Sequence, residues 1–371
     1  MAAGVRSFRA SLVSTSAHLA EAHRCAIVVA MKKAAVILGA GASYDVHNGA
    51  VPVKDSNMRP PLARQLFEPR FWQWMSQYRG AEVLGAELAR LAQRQEVPFD
   101  LEAKLSEYAS SKDQRTRDAF KQVPPYLRDI VNAVVGGYIP SPSSYINLVR
   151  RLLTDGTHEI MFVVLNYDVF LEDALNRYDT GFSFNDIPEY LQEGRQAKVV
   201  KIHGSANWAI PMPDTGGWHK SVRDFDPSLV SDAVVTVIHD RTETVNWRMP
   251  NRALAYPHLT APLREKSFCC PEAHTQALRG FLAGCHKFLI VGTSGLDEDL
   301  LGVMAECCSD TGHLVHYVNA GGQAEGVRSR FEEKIRQFQP SGPQSPLPRT
   351  HGQGFTGYLD TLELEAFLQA D

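Results

Sequence analysis

The feature that most constrains the fold is an apolar segment that runs into two closely spaced glycines, Ala-Ala-Val-Ile-Leu-Gly-Ala-Gly-Ala-Ser-Tyr-Asp at residues 34–45. Its first five residues are all apolar, which is typical of a strand buried on both faces of a parallel sheet. Gly39 and Gly41 then allow a tight turn and a close approach of a ligand to the backbone. Free N–H groups in such a turn can bind a phosphate, so the segment predicts a nucleotide-binding loop.

The spacing of these glycines does not fit the loop of nicotinamide-dependent dehydrogenases. That loop has a third glycine three residues after the second, where this chain has Tyr44. In dehydrogenases a second strand follows and ends in an acidic residue about 20 residues later. Here that region holds Pro52, Pro60 and Pro61, which do not suit a central strand. We therefore do not expect hydride transfer.

Further apolar runs predict strands at residues 160–165, 197–202, 287–291 and 313–318, with another candidate at 233–238. Together with the first strand they predict an α/β fold, a Rossmann-like and mainly parallel sheet of six strands with helices on both faces. Ligands bind such sheets outside the carboxyl ends of the strands. The residues at these ends should therefore gather at one edge: Gly39-Ala40-Gly41, Asn166, Asp168, His203, Gly292-Thr293-Ser294 and Asn319.

The connections between the strands predict how the chain is organised. Residues 1–30 are rich in Ala and Ser and are interpreted as an N-terminal extension or an over-long start, and residues 31–371 as one domain. Apolar residues at helical spacing predict a helical insertion at about 62–153. The range of about 206–270 is interpreted as a loop-rich insertion, and residues 44–61 as a mobile loop over the site. Later helices are predicted at residues 273–284, 296–307, 324–338 and 362–368.

Composition excludes several functional classes. The formal net charge is -4, from 38 basic and 42 acidic residues, so we expect no direct sequence-specific binding of nucleic acid. No apolar run reaches the ~18 residues needed to span a membrane. The six cysteines do not suggest a disulfide framework, which indicates a reducing, cytoplasmic compartment. No pair has zinc-ribbon spacing, although Cys269 and Cys270, with His258 and His274 nearby, leave a metal site open as a secondary alternative.

The residues at the strand ends, taken in order, resemble the motifs of the sirtuin superfamily from residue 34 to about 320. Gly39-Ala40-Gly41-Ala42-Ser43 resembles the glycine loop that holds the NAD pyrophosphate in that family. Asn166-Tyr167-Asp168 resembles its Asn-x-Asp motif beside the nicotinamide ribose, and His203-Gly204 resembles its catalytic His-Gly pair. Gly292-Thr293-Ser294 and Asn319 resemble the late motifs that hold the adenosine half of NAD.

Two departures from the deacylase sirtuins point to a subgroup. Those enzymes carry four zinc-binding cysteines as two Cys-x-x-Cys pairs, and this chain has no such pair, so no zinc is expected. They also carry Pro-Asp-Phe-Arg after the glycine loop, whereas here Pro52 is followed by Val53-Lys54-Asp55. The helical insertion before Asn166 and the Gly-Leu-Asp that follows Ser294 are more similar to the zinc-free sirtuin-like domains of bacterial anti-phage defence systems, which hydrolyse NAD.

The resemblance implies cleavage of NAD+ to nicotinamide and ADP-ribose. This reaction breaks an N-glycosidic bond whose leaving group is already cationic, so it requires neither an acid nor a metal, and its transition state resembles an oxocarbenium ion. The resemblance further implies that Asn166 orients the attacking water and the ribose hydroxyls. Asp168 would contact the nicotinamide amide, and His203 would act as general base, since its reference pKa lies near the working pH.

The same resemblance implies an assembly and leaves alternatives open. A defence effector that depletes NAD is expected to be a homo-oligomer under the control of a trigger. A partner protein such as an ATPase, a nuclease-like protein or a sensor is also expected. Two other functions remain open: an NAD-dependent protein deacylase and a non-catalytic module that binds NAD or ADP-ribose. The choice between NAD and NADP is also open.

Overall fold

Two sheets contain all the strands of the chain that the structure describes. The structure is a computed structural model, which describes residues 31–46, 59–94, 100–137, 143–154, 156–212, 222, 234–239, 249, 254–264, 267–308, 312–339 and 347–370. The strands are β1 (Lys32–Leu38), β2 (His158–Val164), β3 (Ala197–Lys201), β4 (Gly204–Pro211), β5 (Thr236–Val237), β6 (Ala255–Leu259), β7 (Lys287–Val291), β8 (Leu314–Val318) and β9 (Arg349–His351).

The larger sheet has six strands in the order β3-β2-β1-β7-β8-β9. Its pairs β1 with β7, β2 with β3, β7 with β8 and β8 with β9 are parallel. In the central strand β1, Val36 and Leu38 belong to one hydrophobic core, whereas Ala35 and Ile37 belong to the other. A strand that is covered on both faces must be apolar throughout, which explains the continuous apolar run in the sequence.

Helices pack on both faces of this sheet. They are α1 (Ala40–Tyr44), α2 (Trp72–Met75), α3 (Arg79–Arg94), α4 (Leu101–Ala109), α5 (Gln114–Phe120), α6 (Val123–Gly137), α7 (Ser144–Leu153), α8 (Phe170–Tyr178), α9 (Glu272–Leu282), α10 (Glu298–Cys307), α11 (Gln323–Lys334), α12 (Gly354–Leu359) and α13 (Glu363–Gln369). The apolar residues of α9, α10 and α11 join one core, and those of α3, α4, α6, α7, α8, α12 and α13 join the other. The predicted fold class is therefore confirmed.

The sixth strand of the parallel sheet is not the one that the sequence suggested. The candidate at 233–238 is reduced, among the described residues, to β5, which pairs with β4 in a separate antiparallel sheet of order β5-β4-β6. The sixth position is taken by β9, which pairs with β8 and forms the edge of the sheet. Because β9 is a three-residue strand of Arg, Thr and His, it has none of the apolar pattern from which strands are predicted.

The range of about 206–270 contains more regular structure than its sequence indicated. β4 alone has eight residues, six of them within this range, and its first seven residues are buried. It begins at Gly204, whose φ is +77° and where an added Cβ would lie 2.1 Å from the carbonyl oxygen of His258. Glycine is therefore required at the turn between β3 and β4.

Some predictions fall partly or wholly outside the described residues. Residues 1–30 and the middle of the predicted mobile loop, 47–58, are not among them. Between β1 and β2, the regular elements of the described residues are all helical, although the domain boundaries themselves stay predictions. None of the described helices combines the length and the hydropathy that crossing a membrane would require.

Candidate active site

A cavity of about 660 Å³ lies at the carboxyl ends of β1, β2, β7 and β8. Most residues predicted for the site line it: Gly39, Ala40, Gly41, Ser43, Asn166, Asp168, Gly292, Thr293, Ser294 and Asn319. Ala42 is fully buried and is not part of the lining, and neither is His203, of which 1% is exposed. The parallel sheet thus brings most of the predicted residues together. His203 is buried behind the residues that line the cavity.

Residues of the helical segment form another wall of this cavity. Glu102 of α4 and Val131 and Val134 of α6 line it. Two arginines, Arg59 and Arg64, also belong to the lining. Arg59 is held in place, because its Nε donates to the carbonyl oxygen of Tyr44 at 2.6 Å and its guanidinium lies 3.6 Å from the centre of the Tyr44 ring.

The glycine loop packs directly against the loop that follows β7. The amide of Gly41 donates to the carbonyl oxygen of Gly292 at 2.7 Å. A Cβ added to Gly41 would lie 2.8 Å from the Cα of Gly292, and one added to Gly39 would lie 2.6 Å from the Gly292 oxygen. Gly292 itself has a φ of +63°. The glycines are thus required by contact between two backbones.

Asn166 connects β2 to the glycine loop. Its Nδ2 donates to the carbonyl oxygen of Gly39 at 2.9 Å and to Ser43 Oγ at 2.8 Å. A carbonyl oxygen can only accept, so this bond fixes the orientation of the amide group. Since 6% of Asn166 is exposed and it lines the cavity, its Oδ1 is left to accept from a ligand or a water.

A buried tyrosine that the sequence did not single out supports this amide. The hydroxyl of Tyr145, on α7, lies 2.9 Å from Ser43 Oγ and 3.4 Å from Asn166 Nδ2. Ser43 in turn donates to Asp168 Oδ2 at 2.7 Å. Nothing in the sequence around Tyr145 distinguishes it from the core-packing aromatic residues of the same helical segment, so its role is visible only in three dimensions.

Asp168 is held at the end of β2 by backbone and side-chain donors. Its Oδ1 accepts from the amide of Phe170 at 3.2 Å, and the N-cap of α8 is the residue between them, Val169. Burial raises the pKa of the Asp168 carboxyl, whereas the charge of Lys201 opposes this shift. Lys201 is itself fully buried and pairs with Glu172 at 2.9 Å. The buried ammonium of Lys201 thus stabilises the ionised carboxylates of Asp168 and Glu172.

His203 reaches the cavity through a second acidic residue. Its Nε2 lies 2.5 Å from Oδ2 of Asp297, and Asp297 lines the cavity. The other oxygen of Asp297 accepts from the amide of Leu300 at 3.0 Å and caps α10. The sequence showed Asp297 only as the end of a Gly-Leu-Asp motif. Its contact with His203 spans 94 positions and could not be predicted from spacing.

Cys269, Cys270, His258 and His274 were considered above as a metal site. They are not among the described side chains that lie close enough to share an ion. Burial raises the pKa of Cys269 to about 12 and lowers the pKa of His258 and His274 to about 4. The described side chains close enough to share an ion are instead His316, His351 and Glu363.

Comparison with known proteins gives one family and a set of similar structures. Residues 160–337 match the family described as the SIR2-like domain. No curated protein sequence matches the chain. A Sir2 homologue mutant with 2′-O-acetyl ADP ribose is 11% identical, with a TM-score of 0.41, over 85% of this chain and 96% of that chain.

Two further solved structures are similar over most of their length. A SIR2 in complex with the inhibitor EX-527, 2′-O-acetyl-ADP-ribose and a deacetylated p53 peptide is 10% identical, with a TM-score of 0.39, and the match covers 91% of this chain and 95% of that one. A complex of a SIR2 homologue with NAD is 10% identical, with a TM-score of 0.36, over 84% of this chain and 92% of that one.

Proposed function

Residues 160–337 are a SIR2-like domain of the sirtuin superfamily, and from this premise we propose that the protein is an NAD+ hydrolase that releases nicotinamide and ADP-ribose. The observation that carries the proposal is the convergence of Asn166, Asp168 and Asp297 with the glycine loop on one cavity of about 660 Å³. This volume lies within the range of small-molecule sites, and the cavity opens at the edge of the sheet where such sites occur.

Asn166 is proposed to hold the attacking water and the ribose. Hydrolysis of an N-glycosidic bond needs a water fixed close to the anomeric carbon, because a fixed near-attack geometry removes much of the entropic barrier. The amide of Asn166 is itself fixed by Gly39 and Ser43. Its oxygen can therefore accept from a water or a ribose hydroxyl without reorganising.

The proposed base is the pair of His203 and Asp297 acting together. Asp297 is the member that lines the cavity and can reach a water, and His203 holds its carboxylate from behind. The arrangement extends the general-base role that sequence resemblance assigned to His203 alone. General-base assistance contributes ~10² to 10⁴ in rate, and His203 lies within hydrogen-bonding distance of the carboxylate that would accept the proton.

The remaining lining is proposed to hold the rest of NAD+. Arg59 and Arg64 are suited to the diphosphate, because a guanidinium presents several donors to phosphate oxygens. Gly39, Ala40, Gly41, Ala42 and Ser43 form the loop proposed to lie beside it. Gly292, Thr293, Ser294 and Asn319 are proposed to hold the adenosine half, and Asp168 to contact the nicotinamide amide. None of these roles requires a metal.

A product assay separates this proposal from its alternatives. The purified protein in its activated state is incubated with NAD+, with and without an acyl-lysine peptide, and the products are resolved by chromatography. ADP-ribose without peptide supports the hydrolase, and acyl-ADP-ribose formed only with peptide supports a protein deacylase. Binding of NAD+ or ADP-ribose without any product supports a non-catalytic module. Parallel reactions with NADP+ determine the preference between the two dinucleotides.

The proposal extends to regulation. We infer that the chain is a cytoplasmic anti-phage effector that assembles into a homo-oligomer, through the helical segment that carries Glu102 and Val131. It would be held inactive until a trigger or a partner such as an ATPase, a nuclease-like protein or a sensor arrives. The reason is that unrestrained loss of NAD+ is toxic. Light scattering combined with the activity assay tests this, and a monomer with full, constitutive activity would contradict it.

A further inference from the structure

Three potential metal ligands meet at the edge of the parallel sheet, outside the cavity. His316 lies in β8, His351 ends β9 and Glu363 begins α13. One ligand atom from each lies within 4.8 Å of the other two, and none of the three residues lines the cavity. We propose that this cluster binds a divalent transition metal of the Zn²⁺ class, which fastens β9 and the C-terminal helix to the sheet.

The pairing of β8 with the edge strand β9 brings the histidines together. In the register of β8 and β9, Val318 is opposite His351 and His316 is opposite Arg349. Because side chains alternate along a strand, His316 and Val318 point to the same face, and His351 points to it beside them. The two imidazole rings lie 5.0 Å apart, centre to centre. Glu363 approaches this face from the first turn of α13.

Both histidines are buried, and one has an unsatisfied nitrogen. His316 is 1% exposed and His351 is 8% exposed. The Nε2 atom of His351 is buried and has no hydrogen-bond partner in the described parts of the chain. A buried polar atom without a partner destabilises a fold. A metal ion coordinated by Nε2 of His351 would be the partner that this atom lacks among the described residues.

The neighbouring groups suit metal ligands. Nδ1 of His316 lies 3.0 Å from the hydroxyl of Tyr358, which orients the ring and leaves Nε2 to face an ion. Arg349 donates to Oε2 of Glu363 at 2.9 Å, so the second carboxylate oxygen remains available. Burial lowers the pKa of His316 to about 3, and it also lowers the pKa of His351.

The chemistry of the ligands selects the class of ion. Two imidazoles and one carboxylate are a ligand set for Zn²⁺ and related transition metals, with a fourth position for water. Mg²⁺ and Ca²⁺ prefer oxygen ligands and are not expected to bind. The guanidinium of Arg349 repels a cation, so its removal should increase the affinity. This gives the proposal a variant that is expected to gain binding, as well as variants that lose it.

The proposal is tested by calorimetric titration of the untagged full chain with ZnCl₂ in the absence of NAD+, so the outcome does not depend on the proposed enzyme activity. We expect saturable binding that is lost in Glu363→Gln and in His351→Ala. Tyr358→Phe should weaken the affinity by ~10- to 100-fold, because it removes the group that orients His316. Arg349→Gln should bind more tightly than the native chain. CoCl₂ provides a second probe, whose absorption reports the coordination geometry.

Two controls keep the result specific. His286 is exposed and stacks on His313 at 5.7 Å between ring centres, so His286→Ala should leave Zn²⁺ binding unchanged. Glu363 is only partly buried, so Glu363→Gln should stay folded; its melting temperature should then no longer rise with Zn²⁺, unlike that of the native chain. Absence of saturable binding to the native chain, or equal binding by the folded Glu363→Gln variant, would overturn the proposal.

Discussion

At the residue scale, the position of Asn166 depends on groups from three separate segments. Gly39 and Ser43 come from the glycine loop, and Tyr145 comes from α7. The strand-end rule predicted that Asn166 would lie beside the glycine loop, because parallel strands share one carboxyl edge. It could not predict that Tyr145 contacts this amide. The residues next to a tyrosine at the start of a helix do not show which distant side chain its hydroxyl will contact.

Tyr145→Phe tests whether this contact positions the amide. The change removes a hydroxyl that lies 2.9 Å from Ser43 Oγ, and a buried hydrogen bond of this kind contributes ~1 kcal/mol. We expect turnover to fall about 10-fold, which corresponds to ~1.4 kcal/mol, while NAD+ affinity changes little. Tyr317→Phe is the matched control, because the Tyr317 hydroxyl has no partner among the described residues. Equal turnover in both variants would show that Tyr145 does not position the amide of Asn166.

Asp297→Asn tests the proposed base pair. Asparagine still offers an oxygen to the amide of Leu300, so α10 should keep its cap, but the charge that pairs with His203 is lost. We expect kcat to fall by ~10² to 10⁴ with little change in KM. Asp113 also caps a helix, α5, with its carboxylate, and Asp113→Asn should leave kcat unchanged. A native kcat in Asp297→Asn would show that this residue only caps α10.

At the element scale, two glycine-bearing turns interlock at the floor of the cavity. A Cβ at Gly292 would lie 2.2 Å from the amide nitrogen of Ala42. The turn after β7 and the start of α1 therefore form one packed unit. A substitution at Gly41 is expected to disturb this packing as well as any ligand, so reduced NAD+ binding in such a variant would not by itself identify a binding residue.

Gly292→Ala is expected to destabilise the fold. Its φ of +63° is unfavourable for alanine, and strain of this kind costs about 1–3 kcal/mol, before the clash with Ala42 is added. Gly302 lies within α10 with open space around it, so Gly302→Ala should instead stabilise by about 0.5–1 kcal/mol. Denaturant unfolding of both variants measures the difference. Equal stability of the two variants would contradict the interlocked turns.

Strands were predictable from the sequence where burial was complete. β1 and β7 lie in the middle of the sheet, so their runs of apolar residues are unbroken. β9 was missed because an edge strand needs no apolar face and its three residues are held by pairing with β8. β4 was missed because its apolar residues are interspersed with Ser and Asn in a segment rich in turn residues. Long-range pairing, which the sequence does not encode locally, decided both cases.

At the scale of the whole molecule, buried histidines couple folding to pH. His274 is fully buried between the rings of Trp208 and Tyr190. Burial lowers its pKa from 6.5 to about 4. Below pH 6.5 the unfolded chain takes up a proton that the folded chain does not, so stability is lost as the pH falls from 6.5 towards 4. The slope from one such group is about 1.4 kcal/mol per pH unit.

His274→Phe isolates this contribution. Buried carboxyls with raised pKa values, such as Asp168 and Glu172, act in the opposite direction, so the native slope alone is not diagnostic. Phenylalanine keeps a ring at this position and cannot be protonated. The free energy of unfolding, measured in urea between pH 4 and 6.5, should therefore fall less steeply in the variant, by about 1.4 kcal/mol per pH unit. Identical slopes would contradict a neutral, buried His274.

The measurement that tests the central claim most directly is ADP-ribose release from NAD+ by the activated protein, as the native chain and as the Asn166→Ala and His203→Ala variants. It is made without acyl peptide, with and without a chelator, and alongside NAD+ binding and thermal unfolding of each variant. We expect that the activated native chain turns over and that chelation leaves its turnover unchanged. Both variants should fold and bind NAD+ but lose turnover, His203→Ala by ~10² to 10⁴ and Asn166→Ala by at least as much. Full turnover in either variant, or turnover that requires an acyl peptide, would contradict the account.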